Sequence, residues 1–260
     1  MKRTFTKFTK FTMLFMLIFS FVFITGCSDE NSYDSLLHHT MPELSSSTKP
    51  DSETNDISET YTSDNIEIPE YNGEPYCEIN KNQPTFTDNE ITTASYEIYS
   101  KLDNLGRCGV AKACISEDLM PTEKRGNIGM IKPSGWHTVK YPDYIIDNYL
   151  YNRCHLIGYQ LTGENANEKN LITGTRYLNV SGMLPFENEV ADYIHETGNH
   201  VMYKVTPLFI DDELVARGVY MEAYSVEDHG DGVSFNVYCF NVQPQITIDY
   251  KTGDSYITNK

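Results

Sequence analysis

Three runs near the C-terminus narrow the fold more than any other feature: HVMYKVTPLF (200–209), LVARGVYMEAYSV (214–226) and GVSFNVYCFNV (232–242). In each, apolar and polar side chains alternate. Successive side chains of a strand point to opposite faces, so each run can bury one face and leave the other wet. EDHGDG (227–232), between the last two, is a hairpin turn that leaves His229 in solvent. The chain therefore builds an antiparallel sheet.

The clearest helix is GMLPFENEVADYIHETGNH (182–200). Pro185 falls in its first turn, and Phe186, Val190, Tyr193 and Ile194 share a face. Gly198 stands where a left-handed C-terminal cap belongs, with His195 and His200 as surface groups beside it. Upstream, TTASYEIYSKLDNLGRCG (92–109) reads as a helix from Ala94, Ile98 and Leu102, stopped at Gly106, and GVAKACIS (109–116) as a strand. MPTEKRGNIGMIKPSGW (120–136) is a long Gly- and Pro-dense loop, of a length that is often functional. YPDYIIDNYLYNRCHLIGYQL (141–161) is an aromatic and β-branched strand region, TGENANEKN (162–170) a polar loop, and LITGTRYLN (171–179) a short strand leaving for a turn. The fold class is α+β: an antiparallel sheet with a strand–loop–strand–helix unit in the middle.

Only part of the chain is available for that fold. MKRTFTKFTK carries Lys2, Arg3, Lys7 and Lys10, and an apolar run of 14 residues follows from Phe11 to Ile24. Spanning a bilayer takes ~20 apolar residues, so residues 1–26 read as a signal peptide. ITGC (24–27) looks like a bacterial lipobox, with Cys27 as the lipidated N-terminus. Residues 27–70 form an acidic, Ser/Thr/Asp-rich tether too poor in large apolar groups to offset its ordering entropy, and His38 and His39 lie in it without implying a metal. The folded domain is 71–260. The expected location is the outer face of the bacterial membrane, lipid-anchored and partly released.

The net charge of −17 divides the same way: the signal carries four cations, residues 28–70 carry eleven acids against one lysine, and residues from Tyr71 on carry 26 acids against 15 bases. An acidic domain argues against tight, non-specific coating of nucleic acid. It leaves room for a local basic groove, and Lys124, Arg125, Lys132, Lys140 and Arg153 cluster within 30 residues. Cys77, Cys108, Cys114, Cys154 and Cys239 contain no CxxC pair, which argues against a zinc ribbon or a thioredoxin-like site. Their odd count leaves at least one thiol free, and Cys108 with Cys114 is a candidate bridge.

Chemistry concentrates around YNRCHLIGYQL (151–161). In an extended segment Arg153 and His155 point one way, and Asn152 and Cys154 the other. Cys154 and His155 therefore diverge and make a poor nucleophilic dyad. A cation and a base on one surface suit a phosphodiester. Downstream lie Asn170, Asn179 and Glu187; the last two are eight apart, a little over two helical turns, so they share a face if the segment is helical throughout. A carboxamide and a carboxylate are hard ligands suited to Mg²⁺. Each residue also has an ordinary structural reading: Asn179 as a helix cap, Glu187 as a first-turn acid facing the helix dipole.

Together, NRCHLIGYQL, EKNLITGTRYLN and PFENEV resemble the DNA/RNA non-specific endonuclease family, whose ββα-metal (His-Me finger) core carries an Asp-Arg-Gly-His motif. The resemblance runs from about Gly126 to Asp249, is closest to secreted and surface nucleases of Gram-positive bacteria, and includes the ending NVQPQITIDYKTGD (241–254). It implies His155 as general base, Asn179 as the direct ligand of Mg²⁺ or Mn²⁺, and Glu187 as the acid holding a metal-bound water. It also implies Arg153 on the phosphate and Asn170 positioning base or substrate. Arg125 and Arg176 are further substrate-binding candidates, and His137 beside Trp136 reads as a loop anchor. The chain departs from the motif at Asn152, in place of Asp, and at Cys154, in place of Gly; by alternation both should face away from the chemistry.

The expected partners are DNA or RNA and, through Cys27, the membrane, with the protein a monomer. Two rival classes stand beside the nuclease: a non-hydrolytic surface lipoprotein with a decayed site, and a thiol hydrolase using Cys154.

Overall fold

A computed structural model of the protein describes residues 68–258. The signal segment, Cys27, His38, His39 and nearly all of the tether lie outside the described residues. The strands are β1 (Tyr76–Glu78), β2 (Tyr96–Tyr99), β3 (Ala111–Ile115), β4 (Tyr151–His155), β5 (Leu171–Thr175), β6 (Val201–Leu208), β7 (Gly218–Ser225), β8 (Ser234–Phe240), β9 (Ile246–Ile248) and β10 (Ser255–Ile257). The α-helices are α1 (Tyr159–Thr162) and α2 (Leu184–Thr197). Among the described residues no helix is long and apolar enough to cross a membrane.

The three alternating runs become β6, β7 and β8, the centre of a six-stranded antiparallel sheet in the order β1-β8-β7-β6-β3-β2. One face packs on α2 through Phe186, Val190, Ala191, Tyr193 and Ile194. Phe186, Val190 and Ile194, removed from water, contribute roughly 1.5–3 kcal/mol each. The opposite face carries a polar row, since Lys112, Lys204, Glu222 and Asn236 stand in register on β3, β6, β7 and β8. The segment before β2 straps across that row: buried Glu222 accepts the Thr85 backbone N–H at 2.6 Å, pairs with Lys204, and Asn236 donates to the Gln83 carbonyl at 2.9 Å.

Three expectations fail here. Residues 92–109 are not a helix: Tyr96–Tyr99 pair with β3, and a turn closed by Asp103 with Arg107 returns the chain. The helical spacing of Ala94, Ile98 and Leu102 loses to two gains, ladder hydrogen bonds and packing of Tyr96 beside Met202 and Cys114. In 141–161 only Tyr151–His155 are extended; Tyr141–Tyr149 coil into turns, with Asn148 left-handed (φ 67°). All five described cysteines are free, and the Cys108–Cys114 bridge does not form, because Cys108 turns to the Leu171 carbonyl while Cys114 turns to that of Thr92.

β4 and β5 form a separate two-stranded hairpin, in register from Tyr151 opposite Thr175 to His155 opposite Leu171. Residues Leu178–Met183 then make a π-helical turn that runs directly into α2. The wide turn carries the chain past Gly182 and Pro185, so residues 178–197 are helical throughout. Strand, strand and helix make a ββα unit laid against the sheet.

Candidate active site

His155 ends β4 and is nearly buried, at 6% exposure. Its Nε2 lies 2.8 Å from the Asn165 carbonyl oxygen. A carbonyl only accepts, so Nε2 carries the proton and Nδ1 the lone pair. Arg125 donates to that Nδ1 at 3.2 Å. Burial, and then the Arg125 charge, push the imidazole pKa down to about 4, against the opposing pull of the Asn165 carbonyl. The ring is therefore neutral near pH 7, with a single basic nitrogen on the side of an exposed arginine.

Asn179 sits in the π-helical turn against the other face of β4. Its Nδ2 donates to Asn152 Oδ1 at 3.2 Å, and the Cys154 thiol donates to its Oδ1 at 3.2 Å. The alternation along β4 holds, yet the inference that Asn152 and Cys154 lie away from the site does not. The helical turn packs on their face, and both touch the expected metal ligand. Cys154 itself is fully buried, beside the Met183 sulfur at 3.4 Å, and desolvation holds its thiol pKa well above the ordinary value. A nucleophilic thiolate is costly there, which removes the basis for a thiol hydrolase.

Glu187 projects from the first turn of α2 toward Gly158, where a Cβ would come within 2.8 Å of its carboxyl carbon. Desolvation pushes its pKa up to about 7, opposed by Arg125. The charge of the same guanidinium acts on His155, which it touches, and at longer range on Cys154 and Glu187. Among the described residues there is no cluster of three or more His, Cys, Asp or Glu able to hold a metal. The Asn179 oxygen and the Glu187 carboxylate, which accepts no hydrogen bond among the described residues, instead suit a hard cation that keeps most of its water.

Other expected site residues are used differently. Arg153 donates to the Ile131 and Gly129 carbonyls and covers the Trp136 ring at 4.1 Å, so its guanidinium stitches the 126–136 loop. Asn170 is fully buried and cannot touch substrate; its amide bonds both the N–H and the carbonyl of Ile157, fixing the chain just after His155. Arg176 pairs with Asp147 beyond the opposite end of the hairpin from His155. His137 anchors its loop on the Thr252 carbonyl at 3.0 Å. The sequence reading missed the Asn165 carbonyl, which as backbone has no residue signature, and Gly158, whose value lies in the side chain it lacks.

Residues 87–227 match the family described as DNA/RNA non-specific endonuclease. Among solved structures the chain is similar to NucA from Streptococcus agalactiae with a magnesium ion bound, at 27% identity over 70% of this chain and 86% of that one, with a TM-score of 0.62. The same NucA with no metal bound gives 28% identity, equal coverage and a TM-score of 0.60. Sda1 nuclease with a bound zinc ion gives 30% identity over 64% of this chain and 81% of that one, with a TM-score of 0.52.

Proposed function

The chain belongs to the DNA/RNA non-specific endonuclease family, and from that premise we propose that it is a metal-dependent hydrolase of DNA or RNA phosphodiesters acting outside the cell with little sequence preference. The observation that carries the residue roles is the imidazole of His155. Its Nε2–H is committed to a carbonyl, so Nδ1 is the one nitrogen able to take a proton. His155 removes that proton from the water attacking phosphorus, and the Asn165 carbonyl holds the tautomer and stabilises the imidazolium that forms. Arg125 transfers from Nδ1 to a phosphate oxygen when substrate arrives, which frees the lone pair and adds a charge-assisted contact. Asn179 and Glu187 would hold Mg²⁺ or Mn²⁺, which when bound supplies charge neutralisation at the non-bridging and leaving oxygens.

Digestion of plasmid and of structured RNA with Mg²⁺, with EDTA, and by His155→Ala tests this. Activity should vanish in EDTA and fall by roughly 10²–10⁴ in the variant. No cleavage by the wild type would mean a binding protein with a decayed site, and equal cleavage by wild type and His155→Ala would remove His155 as the base. Anchoring at Cys27 is a separate proposal: labelled fatty acid should enter the wild type and not Cys27→Ala.

A further inference from the structure

The two positions at which this chain departs from the family's motif both touch one side chain. Asn152 accepts from Asn179 Nδ2 and Cys154 donates to Asn179 Oδ1, each at 3.2 Å. We propose that Asn152 and Cys154 set how tightly the site holds its cation, by gripping the Asn179 carboxamide at both ends. The proposal rests on Asn179 being a cation ligand.

The amide places Oδ1 toward the Cys154 thiol and the NH₂ group toward Asn152, so that both contacts run from donor to acceptor, and of the acceptors around that thiol Asn179 Oδ1 is the nearest, ahead of the Met183 sulfur at 3.4 Å and the His155 carbonyl at 3.8 Å. Donation from Nδ2 makes the amide oxygen more negative and a better ligand, whereas acceptance of the S–H takes one of its two lone pairs. Asn152 thus supports cation binding and Cys154 opposes it. The thiol is locked in place: Cys154 is fully buried against Met183, and the room for it comes from Gly174 across the hairpin, where a Cβ would lie 2.6 Å from that of Cys154. An Asp at 152 would be a charged acceptor, and a Gly at 154 would carry no donor. Both departures therefore act in the same direction, toward a weaker site.

Outer partners of metal ligands typically change affinity by about 10–100-fold. Calorimetric titration of the intact protein with Mn²⁺, in the absence of nucleic acid, reads this directly. Asn152→Asp should tighten binding about tenfold and Asn152→Ala weaken it by at least as much. Cys154→Ala should tighten it several-fold, while Cys154→Ser, with a stronger donor of similar size, should weaken it. Asn152 is only half-buried, so its pair of variants decides the matter even if a Cys154 variant folds poorly. Wild-type affinity in both Asn152 variants, with binding abolished by Asn179→Ala, overturns the proposal and leaves the ligand assignment standing. Unchanged affinity in Asn179→Ala removes the ligand assignment itself.

Discussion

The guanidinium of Arg125 caps the lone pair of His155, Nη2 to Nδ1 at 3.2 Å, so in the free protein the proposed base is covered by the group that would meet the phosphate. Removing that charge should raise the His155 pKa from about 4, because Arg125 is one of the causes holding it down. Arg125→Ala should therefore show a higher imidazole pKa by NMR titration and a KM raised about tenfold or more. An unmoved pKa would mean that the contact has no electrostatic weight.

Glu187 and His155 pull the pH dependence of stability in opposite directions. Burial raises the Glu187 carboxyl to about 7, above its unfolded value, so its contribution is complete below pH ~4.5 and is lost as pH climbs to about 7. His155 is depressed to about 4, so its contribution is present above pH ~6.5 and is lost as pH falls toward 4. The two offset each other between about pH 4.5 and 6.5, and the Glu187 loss alone continues toward 7. Glu187→Gln should raise the unfolding midpoint at pH 8 without divalent ions, and not at pH 4. A variant no more stable than wild type at pH 8 would contradict the desolvation of this carboxyl.

Gly158 keeps an ordinary backbone (φ −58°, ψ 145°), so Ala is tolerated there by the chain itself. The added methyl would collide with the Glu187 carboxylate. Gly158→Ala should thus unfold within about 1 kcal/mol of wild type and lose roughly tenfold or more in phosphodiesterase activity. Full activity would show that the position of Glu187 does not matter to the reaction.

Glu222 stands in the polar row on the sheet face opposite α2 and binds the strap before β2, while compensating Lys204 in a largely buried setting. Glu222→Ala leaves that lysine charge uncompensated and frees the Thr85 N–H. The expected loss is about 3 kcal/mol by urea unfolding, with activity per folded molecule unchanged. A stability change under 1 kcal/mol would mean that the strap is held by its apolar side chains alone.

Much of the scaffold was legible because its signals are local. Alternation marked β6 to β8, the spacing of Phe186, Val190, Tyr193 and Ile194 marked α2, and Gly198 takes the left-handed cap (φ 69°) that its position suggested. The same reasoning misread residues 92–109, where apolar spacing fitted a helix but the neighbouring β3 offered an open ladder. Nor did it show that Arg153 bonds the carbonyls of Gly129 and Ile131, more than 20 residues away.

Periodicity along the chain determined which segments are strand or helix and which of their faces turn inward, because those choices depend on residues a few positions apart. It could not determine what lies against each face. The grip of Asn152 and Cys154 on Asn179 spans 25 to 27 residues, and that of Glu222 on the strap spans 137. Only the packing of helix on hairpin and strap on sheet decided those contacts, since hydrogen bonds of this kind depend on distance in space and leave no spacing in the sequence.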